Sequence, residues 1–445
     1  MSGPSPPPTA LVENYHDRTA AERHIPSKIV FWDETLRDGE QMPGVHFSTD
    51  EKLRIAELLS DMGVSVINAG IPVVSPDEAK TVSAVAHAGL KAKVLAAGRT
   101  VLGDVEAVIN SGASHIAIFV AASNVHLQYK LRMSQDEVVK ASVECVRRAH
   151  EAGLHVAFVT EDTVRAPLDF VERLYKATTE AGADRLVVSD TVGIMTPLSF
   201  RWFLREFYRR VRPRDWSVHC HNDLGLAVAN TLTALEEGVT APHTCVNGLG
   251  ERAGNTAFEE LVMDLETLYG VRTGIKTERL YELSQLVEEL AGVPLPPNKA
   301  LVGYNSFAHE AGIHSHGVLR HTLTYEPLQP EVIGRHRLFV LGKHTGKAAL
   351  VEKLKERNAN ASEDQVSLLL AKIKSVTERR GKDDVRALVH RYREQFVNPG
   401  IHDDEFWEIV KGLGIPFEGG EPLRSAPRNP AATVSRASKI RKERA

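Results

Sequence analysis

Residues 93–120, KVLAAGRTVLGDVEAVINSGASHIAIFV, hold one complete round of the pattern that decides the fold. A short apolar run at 93–97 leads through a turn into a segment long enough for a helix, and a β-branched run at 115–120 follows. Working outward, the round recurs eight times between Lys28 and Tyr269, with strand candidates at 29–33, 64–69, 93–97, 115–120, 155–160, 185–189, 216–221 and 241–246. The segments between them, such as 49–62, 135–152 and 198–211, are long enough for covering helices, and Ser48 with Glu51 forms a capping-box signal before the first. Eight such rounds, with runs apolar enough to be buried on both faces, predict an α/β fold. They fit a closed (β/α)8 TIM barrel better than an open doubly wound sheet. No G-x-G-x-x-G follows the first strand, so the usual dinucleotide fingerprint is missing.

Beyond the barrel the texture changes. A helix is expected at 280–291, a Pro-rich connector at 292–301, a His- and Gly-rich stretch with little periodicity at 302–346, and helices at 363–380, 383–395 and 404–412. The expected organisation is a flexible tail at 1–27 and a catalytic barrel at 28–275. A linker and subdomain completing the active site follow at 276–350, then a helical domain at 351–418 and a basic disordered tail at 419–445.

With 445 residues, 42% hydrophobic and 25% charged, the composition is that of a globular protein and disfavours disorder, collagen-like or disulfide-scaffold classes. No apolar run reaches the roughly 18 residues of a membrane span. Cys145, Cys220 and Cys245 are too few and scattered for a disulfide frame or a thiolate zinc site, which leads to an expectation of reduced thiols and a cytoplasmic location. The formal charge of −4 conceals an asymmetry: residues 421–445 carry +5, leaving −9 for residues 1–420. Neither a nucleic-acid nor a membrane partner is expected of the acidic body.

Barrel enzymes place their chemistry at the C-terminal ends of strands. Here those ends carry residues 33–38, Asn68, Arg99, Ser123 and Asn124, Glu161 and Asp162, Asp190 and Thr191, residues 219–223, and Asn247. His219-Cys220-His221 is the sharpest of these features. Side chains alternate on a strand, so both imidazoles project to the barrel interior while Cys220 points away. Asp38, after the first strand, is close in the closed ring. Two neutral imidazoles and a carboxylate make a divalent-metal site with open positions for a bidentate ligand, to which Asn255 could add an amide oxygen. Such a site suits a 2-oxo acid, with Arg37 either stabilising the alkoxide formed on attack or serving as an ion-pair partner of Asp38 or Glu34. Two motifs do not hold. Residues 309–314 have one residue too many for H-E-x-x-H, and residues 342–348 lack a residue between the glycines of a P-loop and place Ala348 where Ser or Thr is required.

Residues 33–41 (DETLRDGEQ), 219–225 (HCHNDLG) and 248–256 (GLGERAGNT) resemble the three signatures of the 2-isopropylmalate synthase, homocitrate synthase and citramalate synthase family. Glu161-Asp162 with Arg165, Ser189-Asp190-Thr191, Gly312-Ile313-His314 and residues 342–347 match segments in the same order. The resemblance covers about Lys28 to Leu350. It implies a barrel synthase, an acyltransferase that condenses acetyl-CoA with a 2-oxo acid and hydrolyses the thioester to release CoA. By position it implies Asp38, His219 and His221 for a divalent metal, and the oxygen and nitrogen donors, Asn255 included, admit Mg, Mn, Zn or Fe. It implies Arg37 at the developing alkoxide, Glu161 near the reacting methyl, and His314 and Tyr325 as an acid/base pair. In relatives that pair enters a partner subunit's site, which implies a homodimer with shared active sites. Gln41, Arg99, Arg165 and Thr191 are expected to contact substrate.

Departures from the family bear on substrate. Asn68 stands where Glu is usual, Asn247 where Gly or Thr is more familiar, and Ala157 and Val159 replace the Arg and Ser that hold a distal carboxylate in lysine-pathway homocitrate synthases. Residues 39–45 and 126–128 nevertheless resemble homocitrate synthases of the nitrogen-fixation type. The reading is a synthase acting on a polar 2-oxo acid, homocitrate-synthase-like. The alternatives are 2-phosphonomethylmalate or 2-phosphinomethylmalate synthesis, 2-isopropylmalate or citramalate synthesis, an HMG-CoA-lyase-like cleavage, and a non-catalytic relative. Leucine feedback through a further C-terminal domain is not expected, for want of about 100 residues.

Overall fold

The computed structural model describes residues 15–397, 400–401 and 403–415. Eight parallel strands close into one barrel in sequence order. They are β1 (Trp32–Asp33), β2 (Val66–Asn68), β3 (Lys93–Arg99), β4 (His115–Ala121), β5 (His155–Glu161), β6 (Arg185–Asp190), β7 (Trp216–Cys220) and β8 (Ala241–Thr244). Closure joins β8 to β1, with Trp32 opposite His243 and Asp33 opposite Thr244. β1 is shorter than the expected 29–33. Val30 donates to Thr240 O and Phe31 accepts from Val66, so this segment runs beside its neighbours without a full ladder.

The period-2 alternation separates two cores. Trp32, Val66, Leu95, Ala97, Ala117, Ala157, Val187 and Ala241 fill the barrel interior. The alternate residues pack outward against the covering helices. In the helix Pro197–Val211, for example, Phe200, Phe203, Leu204 and Phe207 recur at spacings of three and four and are buried. Each contributes about 1.5–3 kcal/mol relative to exposure. The helix Thr49–Met62 starts at the expected capping box, in which Ser48 and Glu51 exchange hydrogen bonds. Four of the interior residues are alanines. Two of them, Ala97 and Ala117, leave space under the C-terminal mouth, which is where a site can form.

At the opposite mouth the His115 and His155 rings stack with centroids 4.6 Å apart. Burial, with the neighbouring His155 and Lys93, pushes His115 down from 6.5 to about 4. The unfolded chain therefore takes up a proton on this group as pH falls through 6.5, whereas the folded chain does so only near 4. Stability is lost across that window and is unaffected above it. A His115→Gln variant should lose about 1–2 kcal/mol less between pH 7 and pH 4 than the parent, after allowance for solvent screening. Denaturant melts at the two pH values check this.

The expected N-terminal tail is partly structured. Tyr15–Glu22 forms a 3-10 helix, and Arg23 lies over the Tyr269 ring at 4.9 Å. Residues 1–14 lie outside the described residues, as do 419–445, where the basic tail is expected. The stretch 302–346 holds more order than its sequence pattern suggests. Ala308–His309 pairs in parallel with Leu338–Phe339, and Gly312–Arg320 is helical. The described residues divide into two compact units, with the boundary between Arg380 and Gly381. The helix Glu363–Arg379 packs on the helix Lys347–Lys355 and belongs to the first unit, so the division falls later than residue 351. The second unit contains the helices Asp383–Val397 and Asp403–Gly412. Among the described residues no helix is long and apolar enough to cross a membrane.

Candidate active site

The C-terminal mouth holds a cavity of about 370 Å³, lined on its apolar side by Ile71, Ala97, Ala117, Phe119 and Val159. Its polar side is built from strand ends and the loops they launch. β7 sends His219 and His221 inward, while Cys220 is buried in the outer core. The two Nε2 atoms face each other at 3.1 Å. Asp38 Oδ2 lies 3.4 Å from His219 Nε2 and 4.0 Å from His221 Nε2.

Asp38 is held in place by the loop 248–256. Its Oδ1 accepts from Asn255 Nδ2 at 3.0 Å and from the Glu251 amide at 3.2 Å. Gly250 permits this wrapping: its φ is +146°, and a Cβ there would lie 2.1 Å from Asn255 Nδ2. Although burial pushes Asp38 up, Arg37 and the two imidazoles hold its carboxyl well below the usual carboxylate range. Burial and the neighbouring His219 push His221 down to about 3, so its ring is neutral and offers a lone pair.

The donor set fits a divalent ion. His219, His221 and Asp38 offer ligand atoms within 4.8 Å of one another. Separations of about 3–4 Å are those of atoms sharing one ion at about 2.1 Å. Asn255 contributes a second, independent sign: its Oδ1 is buried and has no hydrogen-bond partner. A buried amide oxygen without a partner costs about 1–3 kcal/mol. A cation beside it removes that cost.

Arg37 takes the ion-pair role open to it in the sequence and also faces the cavity. Its Nε and Nη2 reach Glu34 Oε2 at 2.8 and 2.7 Å, its Nη1 reaches Asp38 Oδ2 at 2.8 Å, and it lines the cavity. Glu34 also accepts from Asn68 Nδ2 at 2.8 Å. Asn68, the residue that departs from the family pattern, thus lines the cavity and joins the ion-pair network beside the Asp38, His219 and His221 cluster. Lys52, with a fully buried side chain, binds Glu40 and Glu78 at 2.7 and 2.9 Å and so fixes the turn that presents Gln41.

Of the expected residues, Arg37, Asp38, Gln41, Glu161, Thr191, His219 and His221 all line the cavity, and Asn255 stands behind Asp38. Arg99 and Arg165 do not line it. Arg99 is spent on Asp104, through Nε at 2.7 Å and Nη2 at 3.0 Å, and the Nε of Arg165 is spent on Asp162 at 2.7 Å. In this structure both pairings tie the arginines to aspartates close by in the chain. His314 and Tyr325 lie outside it, with ring centroids 4.2 Å apart and both side chains exposed. Gly317 makes room for this pairing, because a Cβ there would lie 2.8 Å from the Tyr325 ring. His309 belongs to a strand, where it meets Glu326 at 3.0 Å, and His314 to a helix, so the two histidines form no zincin-like pair.

Asn247 and Ala157 do not shape the cavity wall. Ala157 is fully buried in the interior layer. Asn247, at φ +61°, turns outward and exchanges hydrogen bonds with Ser284 on the helix Leu280–Ala291. An Asn247→Ala variant should lose about 2–3 kcal/mol, from the lost pair and the cost of a left-handed alanine. Denaturant melts of the variant and its parent check this.

Sequence reasoning missed Lys130, His243 and Arg252, which also line the cavity. His243 shares the inward parity of β8 and stacks on Trp32 at 4.8 Å, so alternation along the strand could have found it. Lys130 sits on a π-helical turn, Leu127–Leu131, where no periodicity applies.

Residues 28–287 match the HMGL-like family, and residues 301–381 match the homocitrate synthase post-HMGL domain-like family. A homocitrate synthase (AksA) of Methanopyrus kandleri is 45% identical over 390 residues, 88% of this chain and 98% of its own length. A 2-isopropylmalate synthase of Methanocaldococcus jannaschii is 44% identical over 82% of this chain and 72% of its own. Among solved structures, an HMG-CoA lyase of Bacillus subtilis superposes with a TM-score of 0.56 at 26% identity, covering 61% of this chain and 96% of that one. On the two matched segments and this level of identity, the chain belongs to the HMGL-like family and, within it, to the group of homocitrate, 2-isopropylmalate and citramalate synthases.

Proposed function

We propose that the chain is a divalent-metal-dependent acyltransferase. It condenses acetyl-CoA with a polar 2-oxo acid, in the manner of a homocitrate synthase, and hydrolyses the thioester to release CoA. The observation that carries this reading is the Asp38, His219 and His221 cluster, with the unpartnered Asn255 Oδ1 behind it and Arg37 beside it in one cavity. The relatives named above support the reaction class.

A metal bound there supplies a Lewis acid for the keto oxygen and adjacent carboxylate. The chain's own residues do the rest. Thr191 accepts the Asp162 amide proton at 2.8 Å, which leaves its hydroxyl free to donate to the bound acid beside Gln41. Arg37, charged and fixed by two carboxylates, faces the alkoxide that develops on attack. Glu161 at the end of β5 stands at the methyl group of acetyl-CoA, a weak carbon acid that needs a positioned base. The exposed His314–Tyr325 pair serves as the acid/base element of a neighbouring protomer in a homodimer. A lyase reading lacks its catalytic thiol: Glu251 and Arg252 stand in the Gly-rich loop, and Cys245 is fully buried and does not line the cavity.

Thiol-reagent detection of CoA across a panel of 2-oxo acids tests the proposal. Release with at least one acid is expected, abolished by chelation and restored by added divalent metal. No release with any member, phosphonopyruvate-type acids included, rejects it.

A further inference from the structure

The geometry points to Lys130 as a further catalytic residue, one that donates a hydrogen bond to the thioester carbonyl oxygen while Glu161 removes the methyl proton. This rests on the synthase reading above. Lys130 Nζ lies 2.8 Å from Glu161 Oε1 and 2.6 Å from Oε2, and both residues line the cavity. They come from different strand ends: Glu161 closes β5, and Lys130 rides the π-helical turn Leu127–Leu131 that follows β4. Such turns are rare and frequently occur at functional sites. Arg132, in the left-handed region at φ 55°, ends it.

The other cations of the cavity are committed. Arg37 is bound to Glu34 and Asp38, and Arg252 to Asp223 at 2.7 and 2.8 Å and to Thr191 O. An ammonium has three N–H donors. Glu161 takes two from Lys130, and among the described residues no other acceptor takes the third. In an acetyl group the carbonyl oxygen and the methyl carbon are separated by one atom, a spacing close to the Lys130–Glu161 contacts. One acetyl group can therefore meet both partners at once.

The step balances without a further reagent. The methyl C–H pair becomes the C=C bond of the enolate, the proton goes to the Glu161 carboxylate, and the carbonyl π pair goes to the oxygen, which accepts from Lys130. The enolate C=C pair then forms the new C–C bond with the keto carbon of the 2-oxo acid as the thioester carbonyl re-forms, and the keto C=O π pair moves to its oxygen as the alkoxide that Arg37 faces. An ammonium aimed at that oxygen stabilises charge that exists only as the proton leaves.

Lys130→Met and Lys130→Arg variants decide the matter through two readouts, steady-state CoA release and deuterium incorporation into the acetyl methyl in D2O followed by NMR. The expected result for Lys130→Met is a fall of about 100-fold in kcat and in methyl exchange. KM for the 2-oxo acid and metal affinity should stay within about threefold, and Lys130→Arg should recover at least a tenth of the rate. Lys130→Met with parental kcat and exchange overturns the proposal. So does a raised 2-oxo acid KM at unchanged kcat, which would make Lys130 a carboxylate anchor. A parent enzyme that releases no CoA with any 2-oxo acid overturns the synthase reading and the Lys130 role with it. An active parent with an equally active Lys130→Met variant overturns the Lys130 role alone. Circular dichroism melts confirm that both variants fold, as expected for a half-exposed side chain.

Discussion

Replacing His219 with alanine should lower CoA release by about 1,000-fold or more while leaving the barrel folded. His219 supplies one of three converging ligand atoms, and its Nε2 sits 3.1 Å from that of His221 and 3.4 Å from Asp38 Oδ2. Removing a ligand of this kind lowers metal affinity and with it the several kcal/mol that a Lewis acid contributes at the developing alkoxide. At 1.36 kcal/mol per tenfold, about four kcal/mol is about three decades of rate. The fold should tolerate the change, because the imidazole lines the cavity and the Asp38 carboxylate beside it stays paired with Arg37 and Asn255. Metal titration should show weakened binding, and thermal melts without metal should be nearly unchanged. A variant retaining a tenth of parental activity at saturating metal would sink the assignment of His219 as a ligand.

Replacing Arg37 with glutamine should be costly in two separable ways. Activity should fall by about 100- to 1,000-fold, the range for losing one charge-stabilising donor in a closed site. Stability should fall as well. Glu34 and Asp38 have side chains only 1% and 3% exposed, and Arg37 is the cation that bridges them. Leaving buried carboxylates without their partner costs about 3–5 kcal/mol. Although burial opposes its charge, Glu34 and Asp38 keep the guanidinium firmly protonated. Arg37→Lys should recover part of the stability and little of the rate. A point-charge ammonium cannot repeat the fork that engages Glu34 through Nε and Nη2 and Asp38 through Nη1. Denaturant melts and CoA release on the same preparations separate the two effects. An Arg37→Gln protein as stable as its parent would contradict the bridging role.

Much of this site is legible in the residues themselves. Strand parity alone sends His219 and His221 to one side and Cys220 to the other, because the side-chain period of a strand is two. The closed ring brings the loop after β1 near β7, and the Gly-rich spacing of 248–256 signals a loop that wraps tightly. Less legible is what each charge is spent on. Arg99 and Arg165 look like substrate cations in the sequence, yet in the structure each pairs with an aspartate three to five residues away and neither lines the cavity. Asn247 looks like a pocket residue, but its positive φ rotates it out toward Ser284. Lys130 gives no periodic signal at all, since a π-helical turn shifts the register that a helical reading assumes.

Sequence alone thus determined the eight-round barrel, the mouth at which the polar strand ends gather and the three side chains, Asp38, His219 and His221, that converge there. Alternating burial and strand-end polarity are local, periodic properties that a chain cannot hide. Only the tertiary structure decided which charged groups remain free to act. Pairing depends on distances between residues far apart in the chain: Glu161 meets Lys130 across two strand ends, and Asn255 turns its amide nitrogen to Asp38 and leaves its oxygen without a partner.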